Sequence, residues 1–155
     1  MQFKSTEDIE APIDYVFARL TDFPSFEKGL LRRGATVTRT RAAAPGQAGS
    51  AWQVKFKFRG KMREAQLDVA RVDPPSSLEL LAISGGMHGV IRASLLALSA
   101  GRTRMTVTSE LSATTITARL LLQSLKLAHG SLANRYHARL GAYAEGVEER
   151  YRKGL

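Results

Sequence analysis

The side chains that could do chemistry are few in this chain of 155 residues. It contains three histidines, His88, His129 and His137, and no cysteine. The absence of cysteine excludes disulfides, thiolate metal sites and thiol nucleophiles. The histidines also lack the spacing of a metal motif such as HExxH, in which two imidazoles share one face of a helix. We therefore predict neither a metal site nor a cofactor.

His129 is the histidine with the best position for a binding role. It lies between Leu125 and Leu132 on the apolar stripe of a predicted helix. There its imidazole could point into a pocket and hydrogen-bond a ligand. A histidine at the edge of the stripe, bonded to the backbone or to water, explains the same position. His137 falls on a different, cationic face, which predicts contact with solvent.

Acid–base catalysis would require two titratable side chains that converge on a substrate. Strand alternation instead predicts that Glu64, Asp68 and Glu110 point outward, where lysine and arginine are available as partners. Arg92 is ambiguous, because the alternation along its strand can be assigned in either direction. Facing inward, it would anchor a carboxylate ligand. The sequence thus identifies no catalytic residue and favours binding over catalysis.

The chain is strongly basic, with a formal net charge of +9. This charge favours an anionic partner, such as RNA, the ribosome or an acidic membrane surface, and it is also typical of a solvated basic surface. The polar start of the chain does not resemble a signal peptide, and no apolar run approaches the ~18 residues of a membrane span. We expect a single soluble, cytoplasmic domain over residues 1–155.

The elements that position these residues begin with a strand over residues 2–10 and two short helices. Proline suits the first turn of a helix, so Ala11-Pro12 marks the end of the strand. From Ala35 to Leu111 the pattern has period two, most clearly in Trp52-Gln53-Val54-Lys55-Phe56-Lys57-Phe58-Arg59. This alternation predicts an antiparallel sheet with one buried face and one solvated face.

The rest of the chain, from Thr114 or Thr115 onward, is predicted to form one long helix. Its apolar stripe consists of Leu121, Leu125, Ala128, Leu132, Tyr136, Leu140, Tyr143 and Val147. Only this helix is long enough to cover the apolar face of a sheet of about seven strands. We therefore predict an α+β fold in which a curved antiparallel sheet wraps around the C-terminal helix.

A ligand pocket is expected between the helix and the sheet. The side chains predicted to line it are Trp52, Phe56, Phe58, Met105, Leu125, His129, Leu132 and Tyr136. The alternative is that these side chains pack against one another and fill the space.

The first half of the long helix carries a second apolar face outside the main stripe. It consists of Ile116, Leu120 and Leu127, with Arg119 and Lys126 beside it, and no acidic residue interrupts it. An apolar and cationic surface suits a membrane, a homodimer contact or a lid over the mouth of the pocket. Burial against a neighbouring loop is the other explanation.

The order of the elements and four loose motifs carry a family resemblance. The motifs are Ile9-Glu10-Ala11-Pro12-Ile13-Asp14-Tyr15-Val16-Phe17, Leu20-Thr21-Asp22-Phe23, Gly49–Trp52 and Thr103-Arg104-Met105-Thr106-Val107. In these features the chain resembles the START-like superfamily, also called the Bet v 1-like or polyketide cyclase/dehydrase group. The resemblance implies a helix-grip fold. The superfamily includes lipid and quinone carriers, hormone receptors, aromatase/cyclases, cochaperones and a ribosome-associated toxin.

Three functions are consistent with these observations. The leading hypothesis is non-catalytic binding of a small hydrophobic or amphipathic ligand, such as a lipid, a quinone or a polyketide-like molecule, with Tyr136 or His129 fixing its orientation. The second is an enzyme of the polyketide cyclase or aromatase type, which needs titratable groups inside the pocket. The third is a basic interaction module for the ribosome, RNA or an anionic membrane.

Overall fold

The computed structural model describes residues 1–155, which form seven strands and four helices. In chain order they are β1 (Gln2–Ile9), α1 (Ile13–Leu20), α2 (Phe23–Arg32), β2 (Thr36–Arg41), β3 (Ala51–Phe58), β4 (Lys61–Asp73), β5 (Ser77–Ser84), β6 (Met87–Ser99), β7 (Arg102–Ala113), α3 (Ile116–Leu127) and α4 (His129–Arg152). The predicted order of a strand, two short helices, further strands and a C-terminal helical region is confirmed.

All seven strands belong to one curved antiparallel sheet in the order β1-β7-β6-β5-β4-β3-β2. The first strand pairs with the last, so β1 and β2 are the two edges. Arg59 and Gly60 form the turn between β3 and β4, and both have positive φ angles, 52° and 75°. A two-residue turn of this kind matches the twist of the strands that it joins. The α+β helix-grip prediction is confirmed.

The register assigns each strand residue to one face of the sheet. Trp52 lies opposite Leu67, and Phe56 lies opposite Arg63, so these four side chains share the inner face. The inner face continues across the sheet through residues that the alternating pattern identified: Val54, Ala65, Val69, Met105, Val107 and Leu111. The inner face therefore becomes the core wherever a helix covers it.

The two short helices close one end of this inner face. Pro12 precedes α1 in an extended conformation, and α2 begins after Asp22, whose side chain accepts a hydrogen bond from the N–H of Ser25 at 3.3 Å. Val16 and Phe23 are buried against the sheet. The turn between β3 and β4 and the turn between β5 and β6 lie at the opposite end, where α3 begins.

The C-terminal region differs from the prediction, because it forms two helices rather than one. The break is at Ala128, whose N–H donates to the carbonyl of Leu125 at 3.1 Å, the tight hydrogen bond of a helix end. Gly130 follows in the first turn of α4, where glycine weakens helix propagation. The two helices also have different partners, since α3 packs on β7 and β6 whereas α4 lies along β1. Of the two residues predicted at the start of the helix, Thr114 and Thr115, it is Thr115 that caps it, with its hydroxyl accepting the N–H of Ala118 at 3.1 Å.

None of the four helices combines the length and the apolar composition needed to cross a membrane.

Candidate functional site

The inner face of the sheet is tightly packed in the half that α1 and α2 close. Trp52 and Met105 are each 1% exposed. The indole of Trp52 meets Phe23 and Phe26 edge-on, with ring centroids 5.3 and 5.5 Å apart, and its Nε1 donates to Glu27 Oε1 at 2.7 Å. Two of the predicted pocket residues, Trp52 and Met105, therefore lie in the packed core.

The half nearer to α3 is more open, and it contains what we call the groove. The groove consists of side chains on the inner face and on α4 that contact the core but remain partly exposed: Phe56, Leu67, Leu80, Ile91 and Tyr136. They come from β3, β4, β5, β6 and α4, so the groove extends across the sheet from β3 to β6 and onto α4. Partly exposed apolar side chains on a concave face are the usual lining of a small-molecule site.

The remaining predicted pocket residues lie around this groove at different depths. Phe58 is partly buried at the end of β3, and Leu132 is partly buried on α4, one turn before Tyr136. Leu125 is buried beneath α3. The structure thus brings Phe56, Phe58 and Tyr136 toward the open half, together with Leu67, Leu80 and Ile91, which sequence reasoning did not assign to a pocket.

Tyr136 supplies a polar group at one side of the groove. Its hydroxyl lies 3.0 Å from Ser109 Oγ, on the inner face of β7. Burial raises the pKa of Tyr136 above its ordinary value, and the hydrogen bond with Ser109 partly offsets this shift. The phenol is therefore neutral at physiological pH and can donate or accept one hydrogen bond.

Arg63 supplies a charge on the opposite side of the groove. It shares the inner face with Phe56, its Nε donates to the carbonyl of Phe58 at 3.2 Å, and its guanidinium lies 5.7 Å from the centre of the Phe58 ring. It makes no ion pair in the structure. Sequence reasoning missed this residue, although it has the same strand parity as Ala65 and Leu67.

His129 lies outside the groove, at the edge of the sheet. Its ring stacks on Phe3 at the edge of the sheet, with centroids 5.1 Å apart and planes 9° from parallel, and its Nε2 lies 3.4 Å from the carbonyl of Gln2. His137, predicted to face solvent, is exposed, and its Nδ1 is 2.9 Å from Ser5 Oγ. The two histidines thus fasten α4 to β1, and together with Tyr136 they line a cleft of about 130 Å³.

Arg92, considered as an anchor inside the pocket, lies on the outer face instead. Its strand neighbour Ile91 faces inward, and Arg92 pairs with Glu79 at 2.8 Å and with Glu110 at 3.9 Å. The outward positions predicted for Glu64, Asp68 and Glu110 are confirmed. A cleft of about 370 Å³ near β2 and β3 is lined mostly by polar residues, among them Arg41, Gln53 and Gln66. Because Gln53 and Gln66 lie on the outer face of the sheet, this cleft is separate from the groove.

The residues predicted at the pocket mouth all lie on the exposed side of α3. They are Ile116, Arg119, Leu120, Lys126 and Leu127. The β3–β4 turn reaches the same helix, since the guanidinium of Arg59 donates to the hydroxyl of Ser124. The helix and the turn therefore meet at the end of the groove that is farther from α1 and α2, which we call its open end.

The protein is similar to known proteins in structure but not in sequence. No protein-family model and no curated protein matches the sequence. The fold is similar to that of TTHA0849 from Thermus thermophilus, with a TM-score of 0.66, 16% identity and 99% of each chain covered.

An aromatase/cyclase and a START superfamily protein are also similar in structure. The Zhui aromatase/cyclase from a Streptomyces species matches with a TM-score of 0.65 and 16% identity over 97% of this chain and 95% of its own. A START superfamily protein from Mycobacterium smegmatis matches with a TM-score of 0.57 and 11% identity over 86% and 95%. At these identities the likeness concerns architecture, and the chain has the START-like, or Bet v 1-like, fold.

Proposed function

We propose that the protein binds a small hydrophobic or amphipathic molecule in the groove between the sheet and the C-terminal helices. The observation that carries this proposal is the contrast between the two halves of the inner face. One half is packed around Trp52 and Met105, whereas Leu67, Leu80 and Ile91 keep part of their apolar surface exposed. Covering that surface with an apolar ligand would be favourable by about 25 cal/mol for each Å² removed from water.

The polar groups at the groove suggest which amphipathic ligands would fit. Arg63 has no anionic partner, and no acidic side chain occurs in α3 or in the β3–β4 turn. A guanidinium beside an apolar surface is a good partner for a carboxylate or a phosphate. A ligand with an apolar body and an acidic end would therefore satisfy both the groove and Arg63.

A cyclase-type activity has less support from the positions of the titratable side chains. Arg63 and Tyr136 are the ionisable groups that we place at the groove, which therefore holds no carboxylate or imidazole; burial raises the pKa of Tyr136 further above neutrality, so its phenol is poorly suited to general acid–base work. Glu7 is on the inner face of β1, but its carboxylate lies against α4 at Gly141. Binding without catalysis is therefore the function that the groove supports best.

Two adjacent residues of β5 provide a matched test. Leu80 faces the groove and Leu81 faces the outer surface. Leu80→Trp should fill the groove and abolish binding of anilinonaphthalene sulfonate and of laurate, measured by fluorescence titration and displacement. Leu81→Trp adds the same bulk outside the groove and should leave binding unchanged. Circular dichroism would verify that both variants fold.

The opposite pattern would reject the proposal. If folded Leu80→Trp binds both probes as tightly as the unmodified protein, the ligand does not occupy the groove. If neither probe binds and native mass spectrometry of protein purified from its own host reveals no bound molecule, the protein is not a carrier of this class.

A further inference from the structure

The outward face of α3 exposes three large aliphatic side chains with nothing covering them. Ile116 is 75% exposed, Leu120 is 62% exposed and Leu127 is 92% exposed. At about 100° per residue, these three positions fall within one narrow strip of the helix. The buried residues Ala118 and Leu125 face the opposite way, toward the sheet. The helix is therefore apolar on both sides, and folding uses only one of them.

Cations flank this strip, and none of them is neutralised within the chain. Arg119 and Lys126 are exposed on α3, and Arg59 and Lys61 lie at the β3–β4 turn, which touches the helix through Ser124. None of the four cations takes part in an ion pair. Elsewhere, Arg39, Arg41, Arg92 and Arg104 have carboxylate partners, whereas others such as Arg32 and Arg33 have none but lie away from an exposed aliphatic strip. This end of the molecule thus combines unpaired positive charge with exposed aliphatic surface.

Two other occupants of this surface match it less well. A second copy related by a two-fold axis would bring Arg119 and Lys126 of both chains together, with no acidic residue of α3 to pair with them. A nucleic acid would satisfy the cations but would leave the three aliphatic side chains in water. An anionic bilayer satisfies both, because aliphatic side chains enter the boundary between headgroups and acyl chains while cations remain near the lipid phosphates.

We propose that α3 docks on an anionic phospholipid bilayer, with Ile116, Leu120 and Leu127 inserted and with Arg119, Lys126 and the β3–β4 turn on the headgroups. This orientation turns the open end of the groove toward the membrane. An apolar ligand could then pass between groove and bilayer without crossing water; this last step rests on the proposed function, whereas the docking does not.

The test measures co-sedimentation with phosphatidylcholine vesicles that contain or lack phosphatidylserine. We expect binding only when phosphatidylserine is present, and weaker binding at high salt. Arg119→Gln combined with Lys126→Gln should weaken binding about tenfold or more, since each cation near an anionic surface contributes measurably. Leu120→Gln combined with Leu127→Gln should also abolish most of it. All four residues are exposed, so thermal unfolding should be unchanged.

The matched control variants make the same types of substitution, Arg→Gln and Leu→Gln, on surfaces away from α3. Arg32→Gln with Arg33→Gln removes two exposed cations near the end of α2, and Leu96→Gln removes a leucine on the outer face of the sheet that is 59% exposed. Both controls should bind vesicles like the unmodified protein. Equal losses in the control and test variants, or binding that does not depend on phosphatidylserine, would overturn the docking proposal.

Two further measurements test the alternative partners of this surface, a second copy of the chain and a nucleic acid. Light scattering that detects a dimer, converted to a monomer by the Leu120 and Leu127 substitutions, would assign the surface to a second copy and overturn the proposal. Binding to single-stranded RNA without binding to vesicles would do the same in favour of a nucleic acid. Leu80→Trp should still dock, so failure of docking and failure of ligand binding are observed separately.

Discussion

At the scale of single residues, the charge at the groove comes from Arg63, which lies on the otherwise mostly apolar inner face of β4. Arg63 is a charged residue in an apolar row, opposite Phe56 and two positions before Ala65. An arginine can occupy such a row because its aliphatic stem packs on neighbours while its guanidinium reaches the rim. Its hydrogen bond to the carbonyl of Phe58 and its position over the Phe58 ring hold it there and leave its other donors free.

The first prediction concerns the selectivity that Arg63 would confer. The protein should bind laurate more tightly than dodecanol, because only the acid can form a charge-assisted hydrogen bond with the guanidinium. Arg63→Gln should reduce this preference by about tenfold or more, the range for a hydrogen bond to a charged group. Isothermal titration with both ligands at constant salt measures the change.

Arg92→Gln is the matched control for this prediction. Arg92 is another strand arginine, but it lies on the outer face and pairs with Glu79. Its substitution should leave the ratio of the two affinities unchanged. If both variants lose the preference equally, or if Arg63→Gln keeps it in full, Arg63 does not recognise the acidic end of the ligand.

The sequence predicts the positions of the strands better than it predicts which side chains of different elements contact one another. Alternation identifies the inner face of β3, and parity with Ala65 places Arg63 on the inner face of β4, but only the register shows that Arg63 lies opposite Phe56. Likewise, the position of His129 on the apolar stripe was consistent with a pocket, whereas the structure places its ring on Phe3 of an edge strand. Local periodicity fixes which way a residue points; which residues it meets depends on pairings between distant segments.

At the scale of elements, the break between α3 and α4 was the main feature that periodicity could not reveal. The apolar stripe keeps its phase through the break, so Leu125, Ala128 and Leu132 look like successive turns of one helix. The break lies where the partners of the helices change, since α3 rests on β7 and β6, whereas α4 follows β1. Gly130 was the only local sign of this break, and isolated glycines in helices are too common to be decisive.

The start of α3 is held by a close contact with the β5–β6 turn. The N–H of Thr114 donates to the carbonyl of Gly86 at 2.8 Å, and the next residue, Thr115, caps the helix. A methyl group added at Gly86 would overlap the Thr115 side chain. The absence of a side chain at Gly86 is therefore what allows the turn and the helix cap to meet.

The second prediction follows from this contact. Gly86→Ala should displace Thr115, expose the first amides of α3 and lower the free energy of unfolding by about 1–3 kcal/mol, as for other overpacked sites. Urea denaturation measures the stability, and hydrogen exchange of α3 locates the effect. Gly101→Ala, in the β6–β7 turn with open space around the added methyl group, should have little effect. Equal effects of the two substitutions would contradict this explanation.

At the scale of the whole molecule, the two halves of the inner face of the sheet differ in how completely the helices cover them. Ile9, Val16, Trp52, Met105 and Val147 form a continuous core where α1, α2 and the end of α4 meet the sheet. At the other end, α3 buries only Ala118 and Leu125 and exposes much of its apolar surface. One half can therefore maintain the fold, and the other would remain free to open for the proposed ligand.

The third prediction is that this division is visible in native-state hydrogen exchange. Amides of α3 and of the β3–β4 turn should exchange through local opening, much faster than amides of β7 around Met105, which should require global unfolding. Saturating laurate should slow exchange in α3 and in the turn and leave β7 nearly unchanged, because a ligand in the groove stabilises the closed arrangement of the elements that cover it. Leu80→Trp, which fills the groove, should slow the same amides without ligand. Uniform exchange across the two halves, or protection by laurate confined to β1 and the histidines of α4, would place the mobile element elsewhere and separate the groove from ligand binding.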